Sequence, residues 1–178
     1  MLFISQAVPC ASVAPDLEKM MAQYGDGLLR LCFMYLRDYQ LAEDALQETF
    51  IRAYTKYHTF KGQSSEKTWI TRISINVCKS LMRKRSFKEI ASDEMPEDPD
   101  TPVPSTEEEA LENTRNEALY RAVLGLSPIY REVILLFYYG QFQISEVAKI
   151  LKVPEGSVKA RLFRARAQLA ELVKEDVL

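Results

Sequence analysis

The chain has 178 residues, 47% of them hydrophobic, and a formal net charge of −2, which bounds it to one or two globular domains. No apolar run approaches the ~20 residues that span a membrane, and the three cysteines (Cys10, Cys32, Cys78) are odd in number and widely spaced. That spacing excludes a disulfide framework or a zinc site and fits a reducing cytoplasm. The near-neutral sum hides segregated charge. Residues 66–88 hold seven Lys/Arg against one acid, residues 89–112 hold ten acids and no Lys/Arg, and residues 143–170 hold six Lys/Arg against two acids. Two basic segments flanking an acidic one point to an anionic partner that the whole-chain charge conceals.

In chain order, residues 1–15 read as a disordered leader: they are apolar, interrupted by Pro9, and lack a basic start. A start at Met20 or Met21 is an alternative reading of this segment. The first folded unit spans residues 16–88. Its predicted helices are Asp16–Leu36, with an irregularity near Gly25 and Gly27, then Tyr39–Tyr57 and Glu66–Arg85, with His58–Ser65 as a loop. Residues 89–111 form a linker carrying Pro96, Pro99, Pro102 and Pro104, kept extended by proline and like charge. The second unit, residues 112–178, holds helices over Glu112–Leu126 and Ile129–Tyr139, the latter started by Ser127 and Pro128. Two more helices follow within Gln143–Leu169. No alternation suggests a strand. The fold class is therefore all-α: two small helical domains joined by a flexible acidic linker.

The segment QISEVAKILKVPEGSVKARLFRARAQL has the pattern of a helix-turn-helix. Ile144, Val147, Ala148 and Leu151 give one buried stripe; Val158, Leu162, Ala165 and Leu169 give another. Pro154 ends the turn, and Glu155 favours the start of the next helix by its charge. The face opposite the second stripe holds Ala160, Phe163, Arg164 and Ala167, flanked by Lys159 and Arg166 on one side and Arg161 and Gln168 on the other. Small residues permit close approach to a major groove, Arg reads guanine edges, and Phe can touch a thymine methyl. Ser157, near the helix start, suits a phosphate.

In the first unit, Leu41, Ala45, Leu46, Thr49, Phe50 and Ala53 form a packed side of the second helix. Glu43, Asp44, Gln47, Glu48 and Ile51 form an acidic, partly apolar strip, which is either a solvated face or a partner surface. In the third helix, Trp69, Ile70, Ile73, Val77, Leu81 and Met82 are the expected buried side. Thr68, Arg72, Asn76, Lys79, Arg83, Lys84 and Arg85 are the expected polar and basic face. With Phe60 at its edge, that face has the composition of a single-strand-binding groove. No catalytic group emerges: the lone His58 reads as a loop residue, and Glu43, Asp44 and Glu48 lack accompanying ligands. No metal, cofactor or small-molecule substrate is indicated.

These segments together resemble one family. AEDALQETFIRAY, then Phe60, Trp69, Arg72, Ile73 and Asn76 at their spacing, then LSPIYREVILLFYYGQFQISEVAKILKVPEGSVKARLFRARAQL, are similar to bacterial RNA polymerase sigma factors of the sigma-70 family. The type is group four, or extracytoplasmic function (ECF). The resemblance implies a cytoplasmic factor that binds core polymerase, reads the −35 duplex, and melts and captures the −10 element. Its partners are then the two largest polymerase subunits, promoter DNA and an anti-sigma factor, without membrane insertion. Residues 16–88 would be the region-2-like domain and 112–178 the region-4-like domain. Asp44, Gln47, Glu48 and Ile51 would contact the polymerase. Phe60, Lys61, Arg72, Asn76, Lys79 and Arg83 would serve the −10 element. Ser157, Lys159, Ala160, Arg161, Phe163, Arg164 and Arg166 would serve the −35 element. Ala160 stands where members often carry Ser or Thr, and the loop lacks the acid often found after its Gly62. Two other readings stay open on the residues: a sigma-like protein that titrates an anti-sigma factor, and a stand-alone helix-turn-helix regulator.

Overall fold

The structure, a computed structural model, describes residues 16–91 and 119–175, with side chains over 16–85 and 119–173. The described residues are helical and carry no strand. The leader, most of the acidic linker and the start of the helix expected from Glu112 lie outside them.

Helix α1 (Leu17–Leu36) begins at Asp16, whose side chain accepts the Lys19 N–H at 3.1 Å. It runs unbroken through Gly25 and Gly27, so the expected irregularity is absent. A buried stripe of Met20, Leu28, Leu31, Cys32, Tyr35 and Leu36 holds both turns, overriding the ~1 kcal/mol helix penalty of each glycine. Arg37 closes α1 in the left-handed region at φ 60°, and Asp38 starts α2 (Tyr39–Lys56) by accepting the Leu41 N–H at 3.0 Å. This two-residue turn folds α2 back on α1. Ala42, Ala45, Thr49, Phe50 and Ala53 are its buried residues, and Thr49 returns its hydroxyl to the Ala45 carbonyl.

A short 3-10 turn over Tyr57–Thr59 and an irregular stretch lead to α3 (Glu66–Ala91), which continues six residues past the expected Arg85. Trp69, Ile70 and Val77 are buried as expected. A second buried stripe was not anticipated: Thr68, Thr71, Ile75 and Cys78, at spacings of three, four and three. Thr68, assigned from sequence to the polar face, is 2% exposed. The reason is the packing of the C-terminal half on this side, against which short side chains let helices approach closely.

The C-terminal half contains α4 (119–125), α5 (Pro128–Ile134), α6 (Ile144–Leu151) and α7 (Glu155–Glu175). Pro128 occupies the first turn of α5, while Ser127 caps it only by backbone geometry. The expected single helix to Tyr139 widens over Leu135–Tyr139 into a π segment, closed by Gly140 N–H to Leu135 carbonyl at 2.8 Å. Glu146 caps α6 by accepting the Gln143 N–H at 3.0 Å. Lys152 ends α6 in the left-handed region at φ 57°, and three residues later α7 begins at Glu155.

The two halves share one core. Leu31, Tyr35, Ile75 and Cys78 from the N-terminal half join Leu136, Phe142, Val147, Ile150, Val158 and Leu162 in a single apolar cluster. A second cluster, Met20, Leu28, Phe50, Ala53, Trp69 and Ile70, lies under the 57–65 segment.

Candidate nucleic-acid interface

On α7 the packing divides the helix as its sequence pattern requires. Val158 (0%), Leu162 (2%) and Ala165 (0%) are buried, and Leu169 is half-buried. Ala160, Phe163, Arg164, Ala167, Lys159 and Arg166 are exposed. Phe163, at 74%, is the most exposed large apolar side chain among the described residues. An unsupported phenyl ring between cations is poorly suited to water and well suited to a groove. Arg166 lies 5.7 Å from the Tyr138 ring, and Ser157 is half-buried in the first turn. Arg161 departs from this free face: it bonds Glu132 at 3.1 Å.

The 57–65 segment is anchored by aromatic packing and one carboxylate. Trp69 meets Tyr57 edge-on at 5.9 Å and Phe60 at 5.4 Å. Glu66 accepts hydroxyls from Tyr57 at 2.8 Å and Tyr24 at 3.1 Å, so α1, the 3-10 turn and the start of α3 meet on it. Hydrogen bonding to Glu66 raises the Tyr57 pKa, while burial, reinforced by Glu66, raises that of Tyr24. Gly62 takes φ 68°, the left-handed turn for which glycine is suited. Beside this turn is a cavity of about 170 Å³, lined by Gln63, Ser64, Thr68, Trp69, Arg72 and Lys149. Of the residues expected to serve the −10 element, Phe60 packs at its aromatic margin, Lys61 is exposed and Arg72 lines it. Asn76, Lys79 and Arg83 lie further along α3 in a cleft of about 1040 Å³ that α5 helps to wall.

On α2, Asp44, Gln47 and Ile51 are exposed, Ile51 by 61%. Glu48 is partly covered and pairs with Arg52 at 2.6 Å. A shallow groove of about 400 Å³ beside this strip is formed by Leu17, Met21, Phe50, Ile51 and Tyr54.

Sequence reasoning missed Glu66, Arg131 and Glu132. Arg131 and Glu132 are 7% and 3% exposed in the middle of α5. Arg131 donates to the carbonyls of Tyr35, Leu124 and Leu126 at 3.2, 2.7 and 2.9 Å. Burial pulls its pKa down to about 10, still far above neutrality, so it remains a cation. Glu132 bonds Lys79 at 2.7 Å, Arg161 at 3.1 Å and the Tyr35 hydroxyl at 3.4 Å. The available signal was two adjacent charges inside an otherwise apolar stretch, PIYREVILLFYY. Among the described residues no group of three or more His, Cys, Asp or Glu could hold a metal ion, and no helix is long and apolar enough to cross a membrane.

Two sigma-70 family descriptions match the chain: Sigma-70 region 2 over residues 20–88 and Sigma-70, region 4 over residues 116–169. The ECF RNA polymerase sigma factor SigW of Bacillus subtilis is 31% identical over 170 residues, covering 85% of this chain and 86% of that protein. SigM of the same organism is 28% identical over 166 residues, covering 90% and 97%. The sigma factor RpoE of Bartonella quintana, crystallised with the anti-sigma factor NepR, superposes with a TM-score of 0.75 at 26% identity, covering 89% of this chain and 97% of that one. The chain belongs to the sigma-70 family, among the ECF RNA polymerase sigma factors, and is a factor for promoter-specific transcription initiation.

Proposed function

We propose that the chain divides initiation among three surfaces. The α2 strip of Asp44, Gln47, Glu48 and Ile51 docks on the largest polymerase subunit, where acidic groups around an apolar centre favour a basic helical partner. Phe60, Lys61, Arg72, Asn76, Lys79 and Arg83, carried by residues 16–88, track the −10 single strand. A base unstacked from the duplex is captured at the 57–65 segment, offsetting the few kcal/mol of unpairing. Ser157, Lys159, Ala160, Arg161, Phe163, Arg164 and Arg166, carried by residues 112–178, read and grip the −35 duplex. The factor performs no covalent chemistry in this reading. It works in the cytoplasm, and an anti-sigma factor is a further partner, as for the Bartonella quintana relative.

The observation that carries this reading is the exposed α7 face, with Phe163 at 74% exposure opposite a fully buried Val158 and Ala165. The test is pull-down of core polymerase by the native chain and by Asp44→Arg. Asp44 is exposed, so the variant folds; it is expected to lose core binding at least tenfold. Equal binding by both proteins removes the strip from the polymerase interface.

A further inference from the structure

The groove between α1 and α2 is apolar, open and without charge. Met21 is 50% exposed, Ile51 61% and Tyr54 51%, and half-buried Leu17 and Leu46 with buried Phe50 complete its apolar wall. None of the residues lining it is Asp, Glu, Lys or Arg. Single apolar side chains on a surface are ordinary, but several gathered on one feature mark a contact. The acidic residues alongside, Asp44 and Glu48, favour a basic partner, whereas the groove itself suits an uncharged one. The two surfaces overlap at Ile51.

Charge and reach narrow down what covers the groove. Residues 1–15 contain no Asp, Glu, Lys, Arg or His, and their longest apolar run is at positions 1–4, with Leu2, Phe3 and Ile4. The leader joins α1 at Leu17, which is itself a wall of the groove, so residues 5–16 are the whole tether. A dozen residues extend to about 40 Å, ample for a return to a site that begins at the tether's own end. Such a short tether presents the run at an effective concentration on the order of millimolar, so a weak apolar fit suffices for occupancy. A second copy or a free peptide lacks that advantage at lower concentration.

We propose that Leu2, Phe3 and Ile4 of the leader seat in the α1/α2 groove and cover Ile51, so that leader and polymerase compete for one surface. The competition rests on the assignment of the α2 strip to polymerase; the seat itself does not. The test uses the full chain and the triple variant Leu2→Asp, Phe3→Asp, Ile4→Asp, whose changes lie outside the helices. Oxidation of Met21 by hydrogen peroxide is followed by mass spectrometry, with buried Met20 as the reference for an intact α1. Met21 is expected to oxidise several-fold faster in the variant, and its protection in the native chain to be independent of chain concentration. The variant is also expected to bind core polymerase several-fold more tightly. Equal Met21 rates in the two proteins overturn the seat. Protection that grows with concentration, together with a doubled mass by light scattering, assigns the groove to a second copy and overturns it as well. Unchanged core affinity in the triple variant, while Asp44→Arg still loses core binding, overturns the competition. Unchanged affinity in both variants removes the polymerase reading instead, and the Met21 rates then decide the seat by themselves.

Discussion

Tyr57 and Glu66 are joined by a 2.8 Å hydrogen bond that spans the 3-10 turn and the irregular stretch before α3. The same carboxylate holds Tyr24 of α1, so a single acid fixes where the 57–65 segment leaves one helix and reaches the next. Substituting Glu66 by Ala removes both bonds. The expected loss of stability is about 1.5–3 kcal/mol, the range for a hydrogen bond to a charged group, with the partial exposure of both bonds keeping the pair from counting twice. Promoter melting, followed by permanganate reactivity of −10 thymines, should fall more than binding to −35 duplex does. Equal losses in both would mean that the anchor serves the fold alone.

Gly25 and Gly27 lie inside an unbroken helix, and a Cβ at either would meet nothing within 4 Å. Alanine lowers the entropy of the unfolded chain and favours the helix, so each Gly→Ala change should stabilise by about 0.5–1 kcal/mol. Urea denaturation measures this directly. A destabilised variant would mean that these positions meet a partner or need another backbone conformation.

Tyr35 gives a pH dependence of known sign. Burial, with Glu132 next, raises its pKa above the ordinary 10. The folded chain therefore keeps the hydroxyl protonated where the unfolded chain loses its proton. That contribution is fully present below pH 10 and is lost as pH rises above it. Between the two values the native stability should fall by up to about 1.4 kcal/mol per pH unit from this residue. Tyr35→Phe should show a shallower alkaline decline in denaturation experiments. An identical slope would show that other groups govern the alkaline limb.

Arg164 is exposed on α7, on the face proposed to read the −35 duplex. Its replacement by Ala should cost about 1–3 kcal/mol of discrimination at one −35 position, while a phosphate contact would weaken all sequences alike. Binding measured across single-base variants of the −35 site separates the two. Uniform weakening would reassign Arg164 to the backbone.

Much of this was legible in sequence because the apolar spacing of one helix face is a local property. Val158, Leu162 and Ala165 announced both the buried side of α7 and, by opposition, the exposure of Phe163 and Arg164. The acidic strip of α2 was legible for the same reason. Thr68 was misassigned because its environment is made by α6, which arrives from 78 residues away through Glu146. No periodicity in α3 encodes that neighbour. Glu132 was missed likewise: a charged residue amid apolar ones shows that something must neutralise it, and only the tertiary fold shows that Lys79 and Arg161 do so. The glycines of α1 misled in the opposite direction, since local propensity yielded to a continuous buried stripe.

The most direct test of the account is single-round transcription with core polymerase on promoters randomised at −35 and −10. The account predicts transcripts that require both this chain and core enzyme, start from a defined pair of elements, and disappear with Asp44→Arg. Sequence-selective DNA binding without core-dependent transcripts would contradict it, pointing to a stand-alone regulator. Core binding without transcripts would point to a protein that occupies sigma partners without initiating.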